Sequence, residues 1–139
     1  MESKIITAMP LEVFYDTIFK VSYISFLTKN SFIKVKLACN FKDYKYQHLL
    51  SVEYQLTCRI VKTKKNWVLT EIEKYQKIYN PKTFNDYLKL SQICQIVLSK
   101  IKENQDLEVY TFLSEYLTNV EKTIDLKDFE YLLSKNLGF

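Results

Sequence analysis

The stretch Leu50-Ser51-Val52-Glu53-Tyr54-Gln55-Leu56-Thr57-Cys58-Arg59-Ile60 alternates apolar and polar side chains without a break. Successive side chains of an extended chain point to opposite faces, so Leu50, Val52, Tyr54, Leu56, Cys58 and Ile60 share one face. The spacing predicts a long, curved, half-buried strand. It runs into Lys62-Thr63-Lys64-Lys65-Asn66, a polar cluster that reads as a hairpin turn, after which Trp67 to Ile72 returns to strand character. Upstream, residues 32 to 39 set Ile33, Val35, Leu37 and Cys39 against Lys34 and Lys36, again with period two. Ile5 to Met9 and Ile18 to Leu27, rich in β-branched and aromatic residues, add two earlier strands. Five strands within residues 1–80 predict a small barrel.

The period changes after Asn80-Pro81. Phe84, Tyr87, Leu88, Cys94, Leu98 and Ile101 follow helical spacing from about Thr83 to Lys102, with Leu90, Ile93 and Val97 widening the stripe. Asp106 is placed to cap a second helix carrying Val109, Tyr110, Leu113, Tyr116, Leu117 and Val120. Asp125 is placed to cap a third, with Leu126, Phe129, Leu132 and Leu133 inward and Gly138 beyond its end. Three short helices cannot bury such stripes alone, so they are expected to pack on one another and on the barrel. The expected class is α+β: a barrel over residues 1–80, then a helical domain of about three helices over 81–139.

Charge follows the same division. Residues 1–80 carry 13 Lys and Arg against 7 Asp and Glu, whereas residues 81–139 carry 7 against 9. A basic first half beside an acidic second half raises the expectation of nucleic acid at the barrel. The longest uncharged run, Leu90 to Ser99, falls well short of the roughly 18 residues of a membrane span, and no signal peptide is visible; a cytoplasmic protein is expected. Cys39, Cys58 and Cys94 are odd in number and lack any CxxC spacing, which points to core packing rather than a disulfide framework or a metal site. With a single glycine, Gly138, positive-φ turns are expected to fall on Asn and Asp.

Catalytic chemistry finds few carriers. The only histidine, His48, has no neighbouring triad motif, Glu71 and Glu73 form a lone i,i+2 carboxylate pair, and one glycine cannot build a phosphate loop. No enzyme and no cofactor are expected. The basic segments say more. Lys34 and Lys36 project from one strand face, Lys42 and Lys45 interleave with Tyr44 and Tyr46, and Lys62, Lys64 and Lys65 decorate a hairpin next to Trp67. Cations that track phosphates, set among aromatic faces on which bases stack, are what single-strand binders need.

The order of these features resembles the bacterial recombination mediator family RecO. The likeness runs through Ser3-Lys4-Ile5-Ile6-Thr7-Ala8-Met9-Pro10-Leu11, Leu27-Thr28-Lys29, Lys34-Val35-Lys36-Leu37-Ala38, Leu49 to Tyr54, Trp67 to Glu73 and the close Leu133 to Phe139. The resemblance implies an OB-like five-stranded barrel followed by a helical domain, acting in DNA repair and recombination by binding and annealing single-stranded DNA. As partners it implies a RecR-like protein and the single-stranded-DNA-binding protein. Departures are visible: Ala38-Cys39-Asn40-Phe41-Lys42 lacks the glycine of the family's basic loop, Lys65-Asn66 stands where a hairpin glycine is usual, and the zinc-binding cysteines are absent. A minimal, diverged member is what the resemblance describes. Its expected contacts are Lys34, Lys36, Lys42, Lys45, Lys62, Lys64 and Lys65 to phosphates, with Tyr44, Tyr46 or Trp67 for stacking. The competing expectation is a protein–protein adaptor in which the acidic helical face docks a partner and the barrel is scaffold.

Overall fold

A computed structural model describes residues 2–38, 47–101, 108–120 and 124–138. Five strands come first: β1 (Ser3–Asp16), β2 (Val21–Thr28), β3 (Phe32–Leu37), β4 (Tyr54–Lys62) and β5 (Trp67–Lys77). Three helices follow, α1 (Phe84–Lys100), α2 (Val109–Asn119) and α3 (Leu126–Leu137). The strands close into a barrel in the order β1-β2-β3-β5-β4. All neighbours are antiparallel except β3 and β5, whose short parallel register pairs Val35 with Trp67, Lys36 with Val68 and Leu37 with Leu69.

Closure depends on β1. Its first part, Ser3 to Ala8, pairs with β4, and its second, Ala8 to Asp16, pairs with β2. Ala8 belongs to both ladders and is fully buried, so the strand changes partner at a residue whose methyl group lets two sheets converge. Just beyond, the register with β2 shifts between Pro10 and Glu12. A bulge bends a strand and increases its twist, and proline, which has no N–H to give a ladder, is tolerated there.

The sheet buries two sets of side chains. Inside the barrel, Ala8, Ile24, Phe26, Val35, Leu56, Cys58, Ile60 and Leu69 are fully buried. A second core joins Met9, Leu11, Leu27 and Phe32 of the barrel's outer surface to Leu90, Ile93, Val97, Leu113, Leu117, Phe129 and Leu133 of the helices. At about 1.5–3 kcal/mol for each large apolar side chain buried, this shared core holds the helices against the barrel as the wide stripes required. The Gln55 side-chain amide adds a hydrogen bond to the Tyr110 hydroxyl, tying β4 to α2.

Several local expectations are corrected. Ile18 to Lys20 is not strand but the β1–β2 turn, where Asp16 Oδ1 accepts from the backbone N–H of Ile18 at 2.9 Å and Phe19 at 3.0 Å. A carboxylate satisfying its own turn outweighs the β propensity of Ile18 and Phe19. The positive φ among non-glycine described residues falls on Lys20 (56°), not on Asn or Asp. Leu50 and Val52 are buried, but β4 begins only at Tyr54; β1 starts at Ser3 and runs far beyond Met9, to Asp16, and β3 stops at Leu37. The α1 stripe is narrower than the expected one: Leu90, Ile93, Cys94 and Val97 face the core as expected, while Phe84 (82% exposed), Tyr87 and Leu88 face out. These three lie in the first turns of α1, outside the core shared with the barrel. Glu108 stands at the N-cap of α2 without a side-chain cap, and the expected cap Asp106 lies outside the described residues.

The other caps follow expectation. Asp125 Oδ1 accepts from the N–H of Lys127 and Asp128, and Gly138 ends α3 at φ 74° with its N–H on the Ser134 carbonyl. No helix among the described residues is long and apolar enough to cross a membrane. At the turn into α1, Thr83 and Asp86 form a reciprocal capping box: Thr83 Oγ1 accepts from the Asp86 N–H, and Asp86 Oδ2 accepts from the N–H of Lys82 and Thr83. Asp86 is itself buried, and these backbone donors, that of Lys82 foremost, hold its carboxyl below the ordinary aspartate value despite burial. A depressed folded-state pKa contributes stability above the unfolded value of about 4, and that contribution is lost as pH falls through the folded one. Asp86→Asn is therefore expected to melt below the wild type at pH 6–7, and the two melting curves to converge as pH drops below about 4; an unchanged gap down to pH 2 would contradict this account.

Candidate nucleic-acid interface

Pairing registers assemble one wall of the site. Phe14 on β1 lies opposite Tyr23 on β2, and Tyr23 lies opposite Lys36 on β3, so the three stand in a row across the sheet. The next row holds Glu12, Ser25 and Lys34. Alternation directs these side chains away from Ile24 and Val35, which fill the barrel. The Phe14 and Tyr23 rings stack with centroids 5.4 Å apart and planes inclined by 19°, and the Lys34 ammonium sits 5.7 Å from the Phe14 centroid.

The facing wall comes from the β4–β5 hairpin. Its turn is closed by Thr63, whose N–H donates to the Asn66 carbonyl at 2.8 Å and whose hydroxyl bonds the same residue. That leaves Lys64 and Lys65 exposed at the corners. Lys62 and Trp67 are directly paired where the two strands leave the turn. Trp67 is half-buried: part of it packs on the barrel core, and both the Lys4 ammonium (4.6 Å) and the Lys62 ammonium (5.3 Å) lie near its ring. A cleft of about 430 Å³ separates the walls, lined by Phe14, Asp16, Phe19, Tyr23, Lys34, Lys62, Lys65, Asn66 and Trp67. The β1–β2 and β4–β5 turns border it from two sides, and Phe19 at the first is 72% exposed.

Electrostatics favour an anion here. Among the described residues the ion pairs engage Arg59, which bridges Glu71 and Glu73, and Lys77, which meets Glu53. The Glu71–Glu73 pair thus shares one guanidinium on the sheet surface. Among the described residues Lys4, Lys34, Lys62 and Lys65 have no carboxylate ion-pair partner, and the acid in the lining, Asp16, has an oxygen committed to its turn.

Of the expected contacts, the fold brings Lys34, Lys62, Lys65 and Trp67 into one cleft. Lys36 stands beside it in the Phe14–Tyr23 row, and Lys64 projects from the hairpin outside the lining. Lys42, Lys45, Tyr44 and Tyr46 lie outside the described residues, as does Cys39. Sequence reading missed Lys4, Phe14, Phe19 and Tyr23. The signal for them was the Asp16-Thr17 pair between two apolar runs, which marks a turn and hence an exposed aromatic row on each side. His48 is exposed, with its ring edge-on to Tyr54 at 6.3 Å. Burial pushes the Cys58 thiol up to about 12, with the Glu73 charge adding, and does the same to Cys94 with Glu12, so both thiols stay protonated in the core. No group of three or more His, Cys, Asp or Glu gathers as a metal site among the described residues.

No family model, curated protein or solved structure matches this chain. The cleft's electrostatics are directly measurable, because Trp67 is the only tryptophan. Iodide is expected to quench its fluorescence more efficiently than caesium at equal ionic strength, and the order should reverse in Lys4→Glu/Lys62→Glu.

Proposed function

We propose that the chain is a non-enzymatic single-stranded nucleic-acid-binding protein with an OB-like barrel, serving as a RecO-like mediator of DNA annealing or recombinase loading. The observation that carries the reading is the cleft in which Trp67, beside the Lys4 and Lys62 ammonium groups, faces the stacked Phe14–Tyr23 pair beside Lys34. OB barrels bind oligonucleotides on the face of strands 2 and 3 between the first and fourth loops, and the cleft has that relation to the β1–β2 and β4–β5 turns. Bases stack on the aromatic walls while the lysines track the backbone. The energetics allow the exchange: a lysine lifted off an exposed ring gives up about 0.5–1 kcal/mol, against about 1–3 kcal/mol for a stacked base. The displaced ammonium then meets a phosphate.

The helical half supports a second contact. Exposed Phe84, Tyr87 and Leu88 at the start of α1 offer an apolar surface away from the core, suited to the RecR-like partner that the resemblance implies or to the single-stranded-DNA-binding protein. Phe84→Ser is expected to lose such a partner in a pull-down while retaining oligonucleotide. Were the partner kept and no nucleic acid bound, the adaptor reading would stand instead.

Titration of Trp67 fluorescence with single-stranded oligonucleotides across salt concentrations tests the main reading. About three to four phosphate contacts predict a log–log salt slope near −2 to −3, at about 0.7 per contact on a single strand. Lys34→Glu/Lys65→Glu should weaken binding and flatten that slope by at least about 1.4, with little change in melting temperature because both side chains are exposed. Affinity indifferent to salt would sink the assignment.

A further inference from the structure

A second cleft, of about 370 Å³, lies between the first part of β1 and the β2–β3 turn. Its polar lining includes Lys4, Thr28, Lys29, Asn30 and Ser31. The chemistry differs from that of the first cleft: among the described residues no aromatic ring and no carboxylate lines it, so these residues offer a base nothing to stack on and an anion nothing that repels it. The turn is internally braced. Thr28 Oγ1 takes the N–H of Asn30 at 3.3 Å and of Ser31 at 3.0 Å, and its hydroxyl is within hydrogen-bonding distance of the Ser31 carbonyl. The N–H groups of Asn30 and Ser31 are therefore taken; the Ser31 hydroxyl lies 3.2 Å from Thr28 Oγ1, and the turn offers outward the Lys29 ammonium and the Asn30 side chain, with the Ser31 hydroxyl beside them. Lysine with short polar side chains is the usual donor set for a nucleic-acid phosphate.

Lys4 joins the two clefts. Its ammonium lies 4.6 Å from the Trp67 ring centroid, yet the same residue lines the second cleft. We infer that single-stranded nucleic acid seated on Trp67 continues past Lys4 into this second cleft, where Lys29, Asn30 and Ser31 hold a backbone phosphate. The inference rests on the nucleic-acid reading above and extends it. It defines a bipartite track, with bases stacked in the aromatic cleft and the backbone alone gripped in the polar one, and Lys4 as the pivot between them.

The track predicts a length dependence that a single cleft does not. Thymidine oligomers of about 4 to 16 nucleotides, the range of site sizes for one OB barrel, are titrated against the full chain by Trp67 fluorescence at several salt concentrations. Affinity of the wild type should rise as the oligomer becomes long enough to reach the β2–β3 turn. Lys29→Glu should bind the shortest quenching oligomers like the wild type, but lose affinity for the longest and show a salt slope shallower by at least about 0.7. If Lys29→Glu matches the wild type at every length, or weakens all lengths equally, the second cleft is not part of the track although the first still binds. If the wild type binds no oligomer of any length, the nucleic-acid reading itself fails, and the track with it.

Discussion

One strand obliged to serve two partners shapes this molecule. Drawn out straight at about 3.3 Å per residue, the ten steps from Lys4 to Phe14 would span about 33 Å. In the fold, Lys4 lies over Trp67 and Phe14 lines the cleft that Trp67 borders. The strand achieves this by curling: it passes from β4 to β2 at buried Ala8 and bends at the shift between Pro10 and Glu12. Closure of the barrel, the half-buried Phe14–Tyr23 row and the approach of the two hairpin turns to one cleft all depend on that curvature.

The bend serves the helices as well. Met9 and Leu11 flank Pro10 and both join the core shared with α1, α2 and α3, together with Leu27 and Phe32. The barrel is thereby covered by helices at Met9, Leu11, Leu27 and Phe32, whereas among the described residues Trp67 and the lysines of the cleft stand outside that shared core. Cover and cleft come from one distortion. The Gln55–Tyr110 hydrogen bond ties β4 to α2, and the capping box fixes the start of α1.

Charge is partitioned by the same geometry. On β4 and β5, Arg59 gathers Glu71 and Glu73, and Lys77 meets Glu53, so the cations of this part of the surface are engaged by carboxylates. At the cleft, cations instead lie against aromatic rings, an arrangement that costs little to undo. The uneven charge between the halves of the chain becomes, in three dimensions, a focused patch.

Local periodicity was legible throughout. Period two from Leu50 to Ile60, the polar hairpin at 62–66 and helical spacing after Pro81 depend on near neighbours, and they placed Lys34, Lys62, Lys65 and Trp67 on strands and a turn correctly. The same reasoning ran a strand through Ile18–Lys20, because propensity does not register that the Asp16 carboxylate closes a turn on its own backbone, and it turned Phe84, Tyr87 and Leu88 inward, because a stripe of apolar residues does not say which part of it a neighbour covers. The amino-acid order by itself determined the five strands, the three helices, the charge division and the lysines near Trp67, since each is a short-range pattern. Only the tertiary structure decided that β1 curls round the barrel and brings Lys4, Phe14, Phe19 and Tyr23 to those lysines, since strand pairing between residues far apart in the chain, and the bulge that bends it, leave no local periodic trace.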